Sequence, residues 1–290
     1  MTAFCGIELA HPVINASGCF DALAAREVFG DSLIERFPFA AYVSKTVTLG
    51  PRAGNPPPRL WEAAGGLINS IGLPNPGIDA YLETHLPAYA ALGVPIITNV
   101  MGSTVEQFGE LVERVALRDE VAAIELNVSC PNVATGLDIG ADPHELERLV
   151  TALRPLSAKP LIVKLTPNAA DVAACAAAAE SGGADSVSLI NTLRAMALAP
   201  GATAPWLGGG TGGLSGPAIR SIALAQVASV AASVAIPVIG MGGVASGADA
   251  AALLDVGATL VAVGTETFRD PAAGRRIANE LAQRFAENAA

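Results

Sequence analysis

A closed eight-stranded α/β barrel, the TIM (β/α)8 fold built as a single domain, is what this sequence predicts, on three observations. Short apolar runs bounded by turn residues recur eight times along the 290 residues. Helical patterns fall between them. The glycine fingerprint that an open doubly wound sheet carries after its first strand is missing from that place. The runs cover residues 13–16, 41–45, 95–100, 122–128, 161–165, 186–191, 237–240 and 259–264. Each is apolar along its length, as strands covered by helices must be.

Composition agrees with a large buried core. Hydrophobic residues make up 51% of the chain and charged residues only 15%, which excludes disorder. Aromatics are scarce, so Ala, Val, Leu and Ile must fill the interior. The formal net charge of −10 argues against nucleic acid and anionic membrane surfaces, which reward basic faces. No apolar run reaches membrane-spanning length, and Met1-Thr2-Ala3-Phe4 lacks a basic leader, so a cytoplasmic protein is expected. Cys5, Cys19, Cys130 and Cys175 are scattered without a CxxC pair; neither a metal or iron–sulfur site nor a disulfide is expected.

Helix starts are marked locally. Ser103-x-x-Glu106 predicts a capping box and Ser246-x-x-Asp249 resembles one. Asp142-Pro143 and Asp270-Pro271 each set an N-cap before a first-turn proline. Two connections, 46–77 and 192–216, are longer than a barrel needs, and long ordered loops tend to be functional. Neither a linker nor a domain boundary interrupts residues 1–290.

The strand ends carry the chemistry. In chain order they offer Ala16-Ser17-Gly18, Ser44-Lys45-Thr46, Asn99, Asn127 to Cys130, Lys164, Asn191-Thr192, Gly242-Gly243 and Gly264-Thr265. In a barrel these converge on the C-terminal rim, where active sites of this fold lie. Serine and glycine are ordinary where loops begin. Two lysines leaving buried strands are not, since lysine is rarely buried without a partner. The glycine turns after the last two strands let backbone N–H groups approach an oxyanion. With Lys45 and Lys164 they suit flavin mononucleotide (FMN), whose ring gains negative charge on reduction; a salt bridge closing the barrel is the plainer role for either lysine. Asn69, Asn127, Asn132 and Asn191 match the alternating N–H and C=O edge of a uracil-like ring. Cys130, in Asn127-Val128-Ser129-Cys130-Pro131-Asn132, is the candidate base, because a cationic surrounding lowers a thiol pKa. His11, His85 and His144 fall outside the strand ends. The GxGxxG match at 208–213 follows no strand and is read as accidental.

At these residues the chain resembles the class 1 dihydroorotate dehydrogenases, from near residue 5 to about 282. The resemblance is carried by Asn15-Ala16-Ser17-Gly18, Ser44-Lys45-Thr46, the 68–77 stretch Ile-Asn-Ser-Ile-Gly-Leu-Pro-Asn-Pro-Gly, the 125–133 stretch Glu-Leu-Asn-Val-Ser-Cys-Pro-Asn-Val, Val163-Lys164-Leu165, Ile190-Asn191-Thr192-Leu193 and the 212–219 run. The chain departs from the family pattern at Cys19, Met101 and 208–210. The resemblance implies FMN across the barrel mouth, held by Ala16, Ser17, Lys45, Thr46, Asn99, Asn127, Lys164, Ile190, Gly216, Gly242, Gly243, Gly264 and Thr265. It implies dihydroorotate held by Lys45, Asn69, Gly72, Leu73, Asn127, Asn132, Asn191 and Thr192, with Cys130 and Lys45 catalytic and orotate as product.

Within class 1, residues 190–193 and 212–219 look like the NAD-linked (class 1B) catalytic subunit, and 68–72 leans towards the fumarate-using form. The former implies an iron–sulfur flavoprotein partner that carries electrons onward, and a homodimer is expected. The membrane-anchored class 2 form is not expected, since its base is a serine and no N-terminal extension precedes the barrel. Two alternatives remain open: a dihydropyrimidine dehydrogenase-like subunit acting on uracil or thymine, and a flavin-free barrel isomerase or lyase of sugar phosphates.

Overall fold

The computed structural model describes residues 1–128, 139–201 and 203–288. Eight parallel strands form one sheet: β1 (Val13–Asn15), β2 (Tyr42–Val43), β3 (Ile96–Val100), β4 (Val121–Asn127), β5 (Leu161–Lys164), β6 (Ser186–Leu189), β7 (Val238–Met241) and β8 (Leu260–Val263). All eight predicted runs become strands, with ends displaced by a residue or two. Neighbouring strands pair in the order β1-β8-β7-β6-β5-β4-β3-β2, and a helical segment follows each strand. This is the predicted TIM barrel.

Alternation along the strands explains why the runs are largely apolar. Ile14, Val43, Ile97, Ala123, Ile162, Ile239 and Leu260 pack together inside the barrel. Their strand neighbours Val13, Tyr42, Ile96, Ile124, Leu161, Val238 and Val261 belong to the outer layer under the helices. Both faces are buried, so polar residues are few before the strand ends, Thr98, Glu125, Ser186 and Ser188 among them. An N-terminal hairpin, Thr2–Phe4 with Ile7–Leu9, adds Phe4 and Leu9 to the inner cluster. Its turn places Cys5 and Gly6 at positive φ, the geometry of a tight two-residue hairpin loop. No sequence signal singled it out.

Capping follows the sequence with one correction. Asp142 and Ser246 cap their helices through their side chains. The predicted box at Ser103/Glu106 sits one residue later: Thr104 is the N-cap, accepting from Gln107 N, and Gln107 Oε1 accepts in return from Ser103 N. Adjacent Ser and Thr offered both registers, and the glutamine amide closed the second.

The two long connections meet each other. Leu60–Ala63, Gly66–Asn69, Gly212–Ser215 and Leu193–Ala195 form a four-stranded antiparallel sheet in that spatial order. It stands beside the C-terminal rim and supplies a wall to the cavity there.

Closure between β1 and β2 combines one backbone bond, from Ala40 N to Val13 O at 3.0 Å, with a side chain. Asn15 Nδ2 donates to Val43 O at 2.8 Å, and Asn15 Oδ1 accepts from Val43 N at 2.8 Å. The amide imitates a strand's pair of ladder bonds at a fully buried position. Asn15→Ala strands one buried donor and one buried acceptor, so it should cost about 2–4 kcal/mol, and Asn15→Asp a similar amount because a carboxylate cannot donate. Denaturant unfolding measures this; a loss under about 0.5 kcal/mol would show that the clasp contributes little.

Candidate active site

The rim encloses a cavity of about 380 Å³, a size usual for small-molecule sites. Residues from all but one of the strand ends line it: Ala16 and Ser17 after β1, Lys45 and Thr46 after β2, Asn127 on β4, Lys164 on β5, Ile190 to Thr192 after β6, Gly242 and Gly243 after β7, Gly264 and Thr265 after β8. The inserted segments add Asn69, Gly72, Leu73 and Gly216. The exception is Asn99 at the end of β3, fully buried beneath the floor and donating through Nδ2 to Glu125 Oε2 at 2.5 Å. Cys130 and Asn132 lie outside the described residues. A Cβ on Gly140 would fall 2.3 Å from Val128 O. Val128 and Gly140 are therefore packed against each other.

Glycine turns shape one end of the cavity. Gly216, Gly242 and Gly243 adopt φ of 88°, 125° and 75°, which L side chains resist. A Cβ at Gly243 would lie 2.7 Å from Arg220 Cβ, and one at Gly216 would lie 2.9 Å from Gly66 Cα. The short helical turn Thr265–Phe268 begins at Gly264 with no side-chain cap, leaving its first N–H groups for a ligand. Arg276 braces both turns from behind: it donates to Ala245 O at 3.1 Å, Glu266 Oε1 at 3.0 Å and Asp270 Oδ2 at 2.9 Å. Sequence reading missed this residue, because an arginine in the first turn of the last helix carries no local signature.

The middle is cationic. Lys164 is 5% exposed, and it has no hydrogen bond or ion pair among the described residues. The plainer expectation, a salt bridge closing the barrel, is thus not met at Lys164. Gly18 makes room for the other lysine, since a Cβ there would sit 2.8 Å from Lys45 Nζ. Cys19 also lines the cavity. Burial pushes its thiol pKa up, and the nearby Lys164 and Lys45 charges only partly oppose this.

The far side carries amides. Asn69 Nδ2 donates to Gly213 O at 3.1 Å, Asn191 Oδ1 accepts from Thr192 N at 3.0 Å, and Asn127 Nδ2 donates to Thr46 Oγ1 at 3.1 Å. All three side chains line the same cavity. Gly72 and Leu73 are both at positive φ. For leucine this is strained backbone, which concentrates at ligand contacts.

A TIM barrel with glycine turns, a buried lysine and convergent amides around a cavity on its C-terminal rim has the architecture of a barrel enzyme. Comparison with known proteins narrows the class. Residues 1–285 match the dihydroorotate dehydrogenase family, and the chain is a member of it, an oxidoreductase family. It is 45% identical over 287 residues to the dihydroorotate dehydrogenase B (NAD(+)) catalytic subunit of Geobacter sulfurreducens, covering 98% of this chain and 92% of that protein. It is also 45% identical over 281 residues to a Solibacter usitatus protein provisionally named dihydroorotate dehydrogenase A (fumarate), covering 97% and 91%. The Eimeria tenella DHODH, crystallised in complex with ferulenol, shares the fold with a TM-score of 0.82 at 22% identity, covering 99% of this chain and 85% of that one. The NAD-linked names agree with the subclass expected from residues 190–193 and 212–219.

The thiols outside residues 129–138 should be sluggish. Burial, helped by Asp185, raises the Cys5 pKa from 9.0 to about 11; burial, helped by Asp171 and Asp142, does the same for Cys175. At pH 8 both thiols stay protonated, with a thiolate fraction about 100-fold below that of an unshifted thiol. Timed iodoacetamide labelling of the native protein should therefore find Cys5, Cys19 and Cys175 slow at pH 8, with Cys5 and Cys175 accelerating as pH rises toward 11. Rapid alkylation of any of these three at pH 8 contradicts the environments described.

Proposed function

We propose that this chain oxidises dihydroorotate to orotate with bound FMN, the step that makes the pyrimidine ring aromatic in nucleotide synthesis. The observation that carries the reading is the pairing of the glycine cradle with the buried Lys164 ammonium on one cavity, within a chain of this family. A phosphorylated ring compound that gains negative charge suits both ends at once.

Gly216, Gly242, Gly243, Gly264 and Thr265 hold the FMN phosphate in this reading. Ala16, Ser17, Lys45, Thr46, Asn99, Asn127, Lys164 and Ile190 hold its ring. Lys45, Asn69, Gly72, Leu73, Asn127, Asn132, Asn191 and Thr192 bind dihydroorotate, Lys45 meeting negative charge and the asparagines reading the amide edge. FMN, when bound, supplies the acceptor for the hydride leaving C6. Cys130 removes the proton from C5, so that the two losses create the C5=C6 double bond.

The partner is an iron–sulfur flavoprotein that passes electrons to NAD, as the name "catalytic subunit" borne by the Geobacter relative suggests, and the chain itself forms a homodimer. The protein works in the cytoplasm; no helix among the described residues is long and apolar enough to cross a membrane.

Anaerobic mixing with dihydroorotate should bleach the flavin absorbance, and dihydrouracil should not. NAD with the partner, rather than fumarate alone, should restore the colour. Bleaching by dihydrouracil alone would replace this substrate with uracil or thymine chemistry, and a protein that binds no flavin would end the reading. Cys130→Ala should keep FMN and slow single-turnover flavin reduction by roughly 10²–10⁴-fold near neutral pH; an unchanged rate removes Cys130 from its role. Lys164→Ala should lose much of its FMN, and full flavin content in that variant argues against the lysine.

A further inference from the structure

Among the described residues, Glu266 is the only acidic one that lines the cavity. It follows Thr265 directly, in the turn after β8, and its side chain is 13% exposed. The same cavity holds Lys45 and Lys164 and, in the reading above, an FMN phosphate between the turns after β7 and β8. A carboxylate at that end opposes such a guest, because like charges sheltered from bulk water repel each other strongly. An uncharged side chain would avoid the conflict. The acid therefore calls for a compensating group.

That group is Arg276, on the last helix (Ala273–Asn288). Its Nη2 donates to Glu266 Oε1 at 3.0 Å, and no other cation forms an ion pair with Glu266 among the described residues. Arg276 does not itself line the cavity, so this bond draws the carboxylate toward the helix behind the turn. The two other acids that Arg276 meets have partners of their own. Asp270 accepts from Arg276 Nε at 2.9 Å and from Ala272 N at 2.9 Å. Glu280 accepts from Arg276 Nη1 at 3.1 Å and from Gly247 N at 2.6 Å. Both are far more exposed than Glu266, neither lines the cavity, and solvent screens them. Glu266 is left as the acid whose charge an occupant would feel.

Nη1 of Arg276 also donates to Ala245 O at 3.1 Å, and Ala245 lines the cavity too. One guanidinium thus ties the turn after β7 to the turn after β8 while answering the acid on the second. A lysine has the charge but not the planar fork that reaches both. We propose that Arg276 is a positioning residue that makes this end of the cavity tolerant of a phosphate monoester, by holding the Glu266 carboxylate back and offsetting its charge. The inference rests on the FMN reading above and names the part of the ligand that Arg276 governs.

Equilibrium binding of FMN and of riboflavin, which differ only in the phosphate, tests this without any turnover. The wild type should prefer FMN. Arg276→Met, similar in length but without charge or donors, should lose about tenfold of that preference, through weaker binding of FMN. Adding Glu266→Gln to that variant should restore most of it, because the opposing charge is then gone. Glu266→Gln alone should keep the wild-type preference or raise it. A merely structural brace behaves differently: Arg276→Met would weaken both flavins alike, and Glu266→Gln would rescue neither. An unchanged preference in Arg276→Met, or a loss that Glu266→Gln does not repair, overturns the proposal. If Arg276→Met yields no folded protein, Arg276→Gln, which can still donate to Ala245 O, decides on the same two criteria. A wild type that binds neither flavin, or both equally, fails the FMN reading instead, so the two failures are separable.

Discussion

Everything at the rim depends on the seam between β1 and β2, where the Asn15 amide bonds both the N–H and the C=O of Val43. A parallel ladder of eight strands has two edges, and in the interior no water is on hand to satisfy them. The asparagine supplies one donor and one acceptor at the spacing of a strand, so the two edges are joined without a ninth strand. Ser17 Oγ adds a bond to Ser44 O at 2.8 Å. The residues that follow directly, Ala16 to Gly18 on one side and Lys45 with Thr46 on the other, face the same cavity because of this join. If the seam opened, Lys45 would part from Gly18 and Cys19, and the cationic centre would come apart before any other portion of the site.

That centre sets the electrostatic character of the cavity against that of the whole molecule. The chain carries a net charge of −10, yet the middle of the site holds two lysines, Lys164 buried and Lys45 half-buried. Their field is felt at the Cys19 thiol, where it opposes the effect of burial without overcoming it. A lysine at 5% exposure with no ion pair among the described residues stores unfavourable energy, and an anionic or reducible occupant releases it. An acidic exterior does not compete for that occupant. The arrangement favours a compact anion entering the rim over a polyanion lying across the surface.

The strands and the rim were legible in the sequence because both obey local rules. An apolar run long enough to be buried on both faces reads as a strand, and the residue after it must stand at the rim. Lys45, Lys164, Asn127 and the glycine turns followed from that alone. What escaped depends on residues far apart. The small antiparallel sheet pairs Asn69 with Gly213, across 144 positions, using strands of three or four residues with no alternation to mark them. Arg276 reaches three acceptors on two turns, which no spacing rule reveals. Asn99 was legible as a strand-end amide but not as lying under the floor, because depth within a barrel is set by strand register. The capping box slipped by one residue because Ser103 and Thr104 are chemically equivalent until Gln107 chooses between them.

The cavity is thus assembled from two kinds of wall with different mechanical origins. The barrel wall consists of strand ends whose positions are fixed by ladder bonds and a close-packed core. The other wall belongs to the inserted segments, and it is seated by missing side chains. A Cβ on Gly213 would come within 1.9 Å of Thr192 Oγ1, and one on Gly72 would come within 2.4 Å of the Asn55 backbone nitrogen. Asn55 in turn donates to Ser70 Oγ at 3.0 Å, so the turn bearing Gly72 and Leu73 is tied down on its outer side. The amides proposed to read the substrate stand mainly on this second wall, and the groups proposed to hold the cofactor stand mainly on the first. Changes in the insertions can therefore alter which ring is accepted while leaving the barrel, its seam and its cationic centre undisturbed. Changes in the strand ends cannot be confined in that way, since each strand end is bonded to the next around the ring.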